Sequence, residues 1–87
     1  MFSLLYSEHA LKQLEKLERS VKDRIIRTIE RIRVRPYPHV KKIVGSSYFR
    51  LRVGDYRVIL DIKESRLLIL IIKVGHRRNI YKGINLL

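Results

Sequence analysis

The sequence predicts an α+β domain: an N-terminal strand and a helical hairpin packed on a mostly antiparallel sheet of about four to five strands, with a short C-terminal helix or tail. Three observations carry this. Apolar residues recur at helical spacing through the first third of the chain, they alternate with a period of two from Tyr48 onward, and Pro36 and Pro38 separate the two regimes. Helical and strand patterns segregated in this way place helices on one face of an antiparallel sheet.

Residues 2 to 6 are apolar and short, a strand entering the core. Ser7 stands where a helix N-cap belongs, Glu8 lies in the first turn, and Ala10, Leu11, Leu14 and Leu17 are spaced for one apolar face. The first helix is expected to end near Arg19. Ser20 reads as a second N-cap, with Asp23 three residues on as a short-armed capping box. Val21, Ile25, Thr28, Ile29 and Ile32 continue at helical spacing to about Val34. The two prolines then close the second helix, because each disfavours helix in the residue before it.

From Tyr48 to Val53 the alternation is strict: Tyr48, Arg50 and Arg52 point one way, and Phe49, Leu51 and Val53 the other. Gly54-Asp55 supplies the chemistry of a tight hairpin, and Tyr56 to Ile62 returns as its partner. After a turn around residues 63 to 65, Arg66 to Val74 reads as a central strand, apolar on both faces and therefore covered on both. Gly75 is expected to end it. Asn79 is a candidate cap for a last short helix carrying Ile80, Tyr81, Ile84 and Leu87.

A chain of 87 residues forms one small domain with one modest core, so a single domain over residues 1–87 is expected. With no cysteine, disulfides, thiolate metal sites and cysteine nucleophiles are excluded, and a cytoplasmic setting is the default. The apolar run 67–72 falls far below the roughly 18 residues of a membrane span, and the N-terminal run is too short for a signal-peptide core. No membrane role is expected.

Charge says more. The net charge is +12, from 20 Lys and Arg against 8 Asp and Glu, and it is segregated. Between Arg31 and Gly54 stand Arg31, Arg33, Arg35, Lys41, Lys42, Arg50 and Arg52 with no acid, and after Ser65 come Arg66, Lys73, Arg77, Arg78 and Lys82, again with none. A net charge of about 2 to 8 already keeps a small domain soluble, so the excess points to a polyanion, with nucleic acid favoured over a membrane surface.

Phosphate-binding glycine loops, histidine-rich metal spacings and paired carboxylates are missing from the sequence, and no metal or cofactor is expected. What remains is a set of cations on strands. Arg50 and Arg52 share one strand face, Arg57 follows the hairpin turn, and Arg77 follows the next strand; in a meander the four line one surface. Guanidinium groups match phosphate oxygens in a bidentate fork and stay charged at any relevant pH. RNA brings its own 2′-hydroxyl nucleophile, so such a surface needs only to position, neutralise and move protons to cleave it. The same surface could equally bind without cleaving.

The segment YFRLRVGDYRVIL from Tyr48 to Leu60, then a hydrophobic strand, then VGHRRNIY from Val74 to Tyr81, resembles the second half of the RelE/ParE toxin superfamily. The helical hairpin with Leu11, Leu14 and Leu17 is similar to its first half, so the likeness spans nearly the whole chain. It implies a RelE-type toxin of a type II toxin–antitoxin system, an endoribonuclease that cuts mRNA in the ribosomal A site. The expected products carry a 2′,3′-cyclic phosphate or 3′-phosphate and a 5′-hydroxyl. By motif, the catalytic surface falls on Arg50, Arg52, Arg57, Arg77 and Tyr81. A RelB-like acidic antitoxin and the mRNA-loaded ribosome are the implied partners.

Two departures from that pattern shape the expected chemistry. Arginines stand where the best-known relatives carry lysines, and arginine cannot realistically give up a proton, so Arg50 and Arg52 read as phosphate clamps. The hairpin is also tighter, and Tyr81 is closer to Arg77. His76 and Tyr81 are then the candidates for proton transfer, with a surface role for His76 and core packing for Tyr81 as the alternatives. For Arg57 the alternative is an ion pair with Asp55 or Asp61. Lys41, Lys42 and Arg78 are candidate RNA contacts, and Lys41 and Lys42 are equally readable as a solvated edge. At the level of function, the alternatives are a ParE-like DNA gyrase poison and a non-catalytic nucleic-acid-binding module.

Overall fold

A computed structural model of the chain describes residues 1–81. In order, the elements are β1 (Ser3–Tyr6), α1 (Glu8–Glu15), α2 (Arg19–Ile32), a 3₁₀ turn (Tyr37–His39), β2 (Val40–Lys42), β3 (Phe49–Val53), β4 (Tyr56–Lys63), a second 3₁₀ turn (Glu64–Arg66) and β5 (Leu68–His76). The strands form one five-stranded sheet in the order β1-β5-β4-β3-β2. All neighbours are antiparallel except β1 and β5, which run parallel. The α+β class is as the sequence predicts.

The helical hairpin covers one sheet face. Ala10 and Leu14 of α1 and Ile25, Ile29 and Ile32 of α2 meet Leu51, Val53, Val58, Leu60, Ile69, Ile71 and Val74 in the main core. Ser7 caps α1 as expected, accepting from the Ala10 N–H at 3.0 Å, and its own hydroxyl donates to the Ile72 carbonyl at 2.8 Å. One residue thus starts the helix and fastens it to β5. Past the end of β1, the exposed edge of β5 is closed by α1, where Gln13 Oε1 accepts from the Val74 N–H at 2.7 Å.

Several boundaries differ from the sequence-based expectation. The first helix stops at Glu15, and Leu11, one residue off the buried stripe, is 48% exposed. The second begins at Arg19 with Glu18 at the cap position; Ser20 lies inside its first turn, donating to Glu18 Oε1. Strand β2, only three residues long, follows the prolines and pairs with β3 as the sheet edge. Gly75 does not end β5, which runs on to His76 because residues 75 and 76 still pair with Arg57 and Tyr56. Residues 77–81 form turns, with Asn79 and Ile80 N–H groups donating to the His76 carbonyl. The rest of the expected last helix, with Ile84 and Leu87, lies outside the described residues.

The second sheet face is covered at one place only among the described residues. There Ile43, Ile59 and Ile80 form a small second core, joined by Tyr48, Ile72 and Tyr81. Among the described residues the remainder of that face is open.

A cationic hollow on the open sheet face

The hairpin between β3 and β4 decides where the arginines go. Val53 pairs with Tyr56, leaving Gly54 and Asp55 as a two-residue turn, and Gly54 takes φ +59°, the place a type II′ turn gives to glycine. A Cβ there would stand 2.8 Å from Arg24 Nη1, the movable end of a long side chain, so it is the backbone conformation that calls for glycine. With that turn, Arg52 lies directly opposite Arg57, and Arg50 lies between Ile59 of β4 and Lys41 of β2. Because alternate residues share a face, Arg50, Arg52 and Arg57 all point away from the helices.

These three, with Lys41 and His39, line a hollow of about 190 Å³. No lining residue is acidic. Arg57 is half-buried, and its Nη1 donates to the carbonyls of Gly54 at 2.8 Å and Tyr56 at 2.9 Å. The turn therefore holds this guanidinium by neutral carbonyls and leaves its charge uncancelled. The ion-pair alternatives for Arg57 are taken up elsewhere: Asp55 faces Arg77 Nε at 3.8 Å, and the buried Asp61 pairs with Lys63 at 3.0 Å. Arg50, Arg52 and Lys41 make no ion pair among the described residues. Like charges directly opposite on neighbouring strands repel, by on the order of 1 kcal/mol at contact distance even in water. An anion bound between them relieves that repulsion.

Other expected site residues are placed differently. Arg77 is tied to the hairpin tip, its N–H donating to the Asp55 carbonyl at 2.8 Å, and it does not line the hollow. Tyr81 does reach the open face: with Lys42, Ile43, Val44 and Arg50 it lines an adjoining hollow of about 260 Å³. Its hydroxyl is buried without a hydrogen-bond partner. Lys42 has its ammonium 5.2 Å over the Phe49 ring, and Arg78 is exposed, its N–H donating to His76 Nδ1.

His76 is not beside the arginines. Leu60 pairs with Ile71 while Ile59 pairs with Lys73, so Ile72 is an extra residue and β5 is bulged. The bulge reverses which residues face the helices: Ile69 and Ile71 do so before it, Val74 after it. His76, two residues beyond Val74, follows Val74 and stacks edge-on against Tyr56, which packs on the main core. The histidine that the fold brings to the arginines is His39, a residue the sequence reading passed over. Nothing local marks it; only the pairing of β2 with β3 carries it there.

A second cationic hollow of about 380 Å³ borders the first. Arg24, Arg27 and Arg31, three and four residues apart on α2, line it together with Arg52, which belongs to both. Among the described residues no three His, Cys, Asp or Glu side chains gather as metal ligands, and no helix is long and apolar enough to cross a membrane.

Comparison with known proteins places this geometry. The profile described as the ParE toxin of type II toxin–antitoxin systems matches residues 4–81. Among solved structures, the RelBE2 toxin–antitoxin complex of Mycobacterium tuberculosis contains a chain similar at TM-score 0.82 and 20% identity, covering 87% of this chain and 98% of that one. The RelE–RelB complex of Pyrococcus horikoshii gives 0.78 and 25%, covering 90% and 97%. The RelB–RelE complex of Methanococcus jannaschii gives 0.72 and 27%, covering 93% and 99%. A search of curated protein sequences returned no match.

Proposed function

For a chain that belongs to the ParE toxin family of type II toxin–antitoxin systems, within the RelE/ParE superfamily, we propose that the cationic hollow is a site for cleaving mRNA bound to the ribosome. The observation that carries this reading is the hollow itself: Arg50, Arg52, Arg57 and Lys41 converge with no carboxylate among the lining residues. A scissile phosphate seated there receives donors from several directions. Arg57 has its guanidinium oriented by two carbonyls. Attack of the 2′-oxygen on phosphorus adds negative charge to the non-bridging oxygens, and preorganised guanidiniums stabilise that charge more than they do the ground state. Tyr81, which lines the hollow adjoining Arg50, would hold the neighbouring nucleotide, with Arg77 and Arg78 contacting the strand at the hairpin end. Such a reading sets the protein to work in the cytoplasm, where the ribosomes are.

The antitoxin partner follows from the same charge. A RelB-like acidic segment lying across the open face would neutralise the arginines and block the hollow. RelE–RelB complexes among the structural neighbours support a partner of this kind.

The experiment is primer extension on ribosomes programmed with defined A-site codons. Purified protein is expected to cut the mRNA there and to leave the same RNA intact when free in solution. Intact mRNA over a broad codon set overturns the reading. A second reading has a specific observation in its favour, since the matching family profile is described by its ParE members: inhibition of DNA gyrase. A supercoiling assay inhibited by this chain, with mRNA left whole, selects it.

A further inference from the structure

We propose that His39 is the general base of the cleavage site, a role that rests on the ribonuclease reading above. Among the described residues, every other side chain lining the hollow is an arginine or a lysine, which in its charged form offers donors and no acceptor. The arrangement can therefore bind and polarise a phosphate but cannot take a proton from a 2′-hydroxyl. A neutral imidazole can, and it is the side chain that changes charge between pH 5 and 8. His39 brings an imidazole to the hollow.

The fold fixes His39 where it stands. It ends the 3₁₀ turn Tyr37–His39, with its N–H donating to the Pro36 carbonyl at 3.0 Å, and Pro36 is fully buried. On the other side of the turn Tyr37 donates its hydroxyl to Glu64 and stands edge-on to Phe49, ring centroids 6.0 Å apart. One residue beyond His39, β2 begins and pairs with β3, so Lys41 comes opposite Arg50. The turn is thus anchored at both ends while the imidazole itself is exposed. The charged groups that line the hollow with it are Lys41 from β2, Arg50 and Arg52 from β3 and Arg57 from β4, and Glu64 is hydrogen-bonded to Tyr37, in the same turn as His39. None of these four lining groups is a carboxylate.

The step is a transesterification. His39 takes the proton of the 2′-hydroxyl as the 2′-oxygen bonds to phosphorus, the bond from phosphorus to the 5′-oxygen breaks, and that oxygen takes a proton from water. The products are a 2′,3′-cyclic phosphate and a 5′-hydroxyl end, and the imidazolium returns its proton to solvent.

The test is single-turnover cleavage of mRNA on programmed ribosomes by the wild-type chain, His39→Ala, His39→Gln and, as a control, His9→Gln at an exposed position on α1. Both His39 variants are expected to cut about 10²- to 10⁴-fold more slowly, with His9→Gln unchanged. The pH dependence of the wild-type rate is expected to flatten in His39→Ala, and added imidazole to restore part of its activity. Wild-type rates in both His39 variants overturn the assignment. So does a slowed His39→Ala that keeps the wild-type pH profile and ignores imidazole, which marks a structural role. Uncut mRNA with the wild-type chain overturns the ribonuclease reading and this inference together.

Discussion

The two faces of the β3–β4 hairpin are made of alternate residues on the same two strands, yet they follow opposite rules. Toward the helices stand Leu51, Val53, Val58 and Leu60, none more than 5% exposed. Toward the open side stand Arg50, Arg52 and Arg57, held near one another although like charges repel. The first face lowers the free energy of folding through burial. The second raises it, and the protein tolerates this because the hairpin and the main core over-determine the strand positions. A surface kept in this state is matched to a polyanion, and stability and binding can be separated residue by residue along a single strand.

The largest effect that should break the separation is on the apolar side. Leu60→Ala leaves a cavity at a fully buried site and is expected to cost about 2–5 kcal/mol, read from urea unfolding. Arg57→Ala, three residues earlier on the same strand, is expected to leave the unfolding midpoint nearly unchanged while slowing mRNA cleavage about 10²- to 10³-fold. A midpoint shift as large as that of Leu60→Ala would make Arg57 a structural residue and end the comparison. Ser7→Ala sits between the two regimes, since it removes both the α1 cap and the donor to the Ile72 carbonyl at the bulge. A loss of about 1–2 kcal/mol is expected, with cleavage intact.

The smallest effect is at Tyr37. Its hydrogen bond to Glu64 pushes the phenol pKa above the ordinary 10.0, with burial and the Glu64 charge adding to the rise. A pKa raised by folding contributes stability that is fully present below pH 10 and is lost as pH climbs through the raised value. Tyr37→Phe should therefore destabilise by less than about 1 kcal/mol at neutral pH, because the pair is exposed. Its difference from wild type should shrink in thermal melts above pH 10.

Periodicity made most of this fold legible. The stripe Ala10, Leu14, Ile25, Ile29 and Ile32 and the alternation through Leu51 and Val53 reflect burial on a single face, and burial on a single face is what sequence spacing records. Three features escaped for physical reasons. Strand β2 is an edge of three residues, two of them lysines, too short to establish a period. The bulge at Ile72 leaves no trace in a run of Leu and Ile, yet it reverses the facing of everything after it and carries His76 to the helix side. His39 enters the hollow through strand pairing with no pattern of its own. The cluster of Arg50, Arg52 and Arg57 was legible because alternation and a two-residue turn settle it locally; the group able to accept a proton was not, because its position is set by tertiary structure.

The most direct test of the division between faces is primer extension on programmed ribosomes with the wild-type chain and the triple variant Arg50→Ala, Arg52→Ala, Arg57→Ala. The account predicts A-site cleavage by the wild type and intact mRNA with the variant. Equal cleavage by both, or none by either, would contradict it.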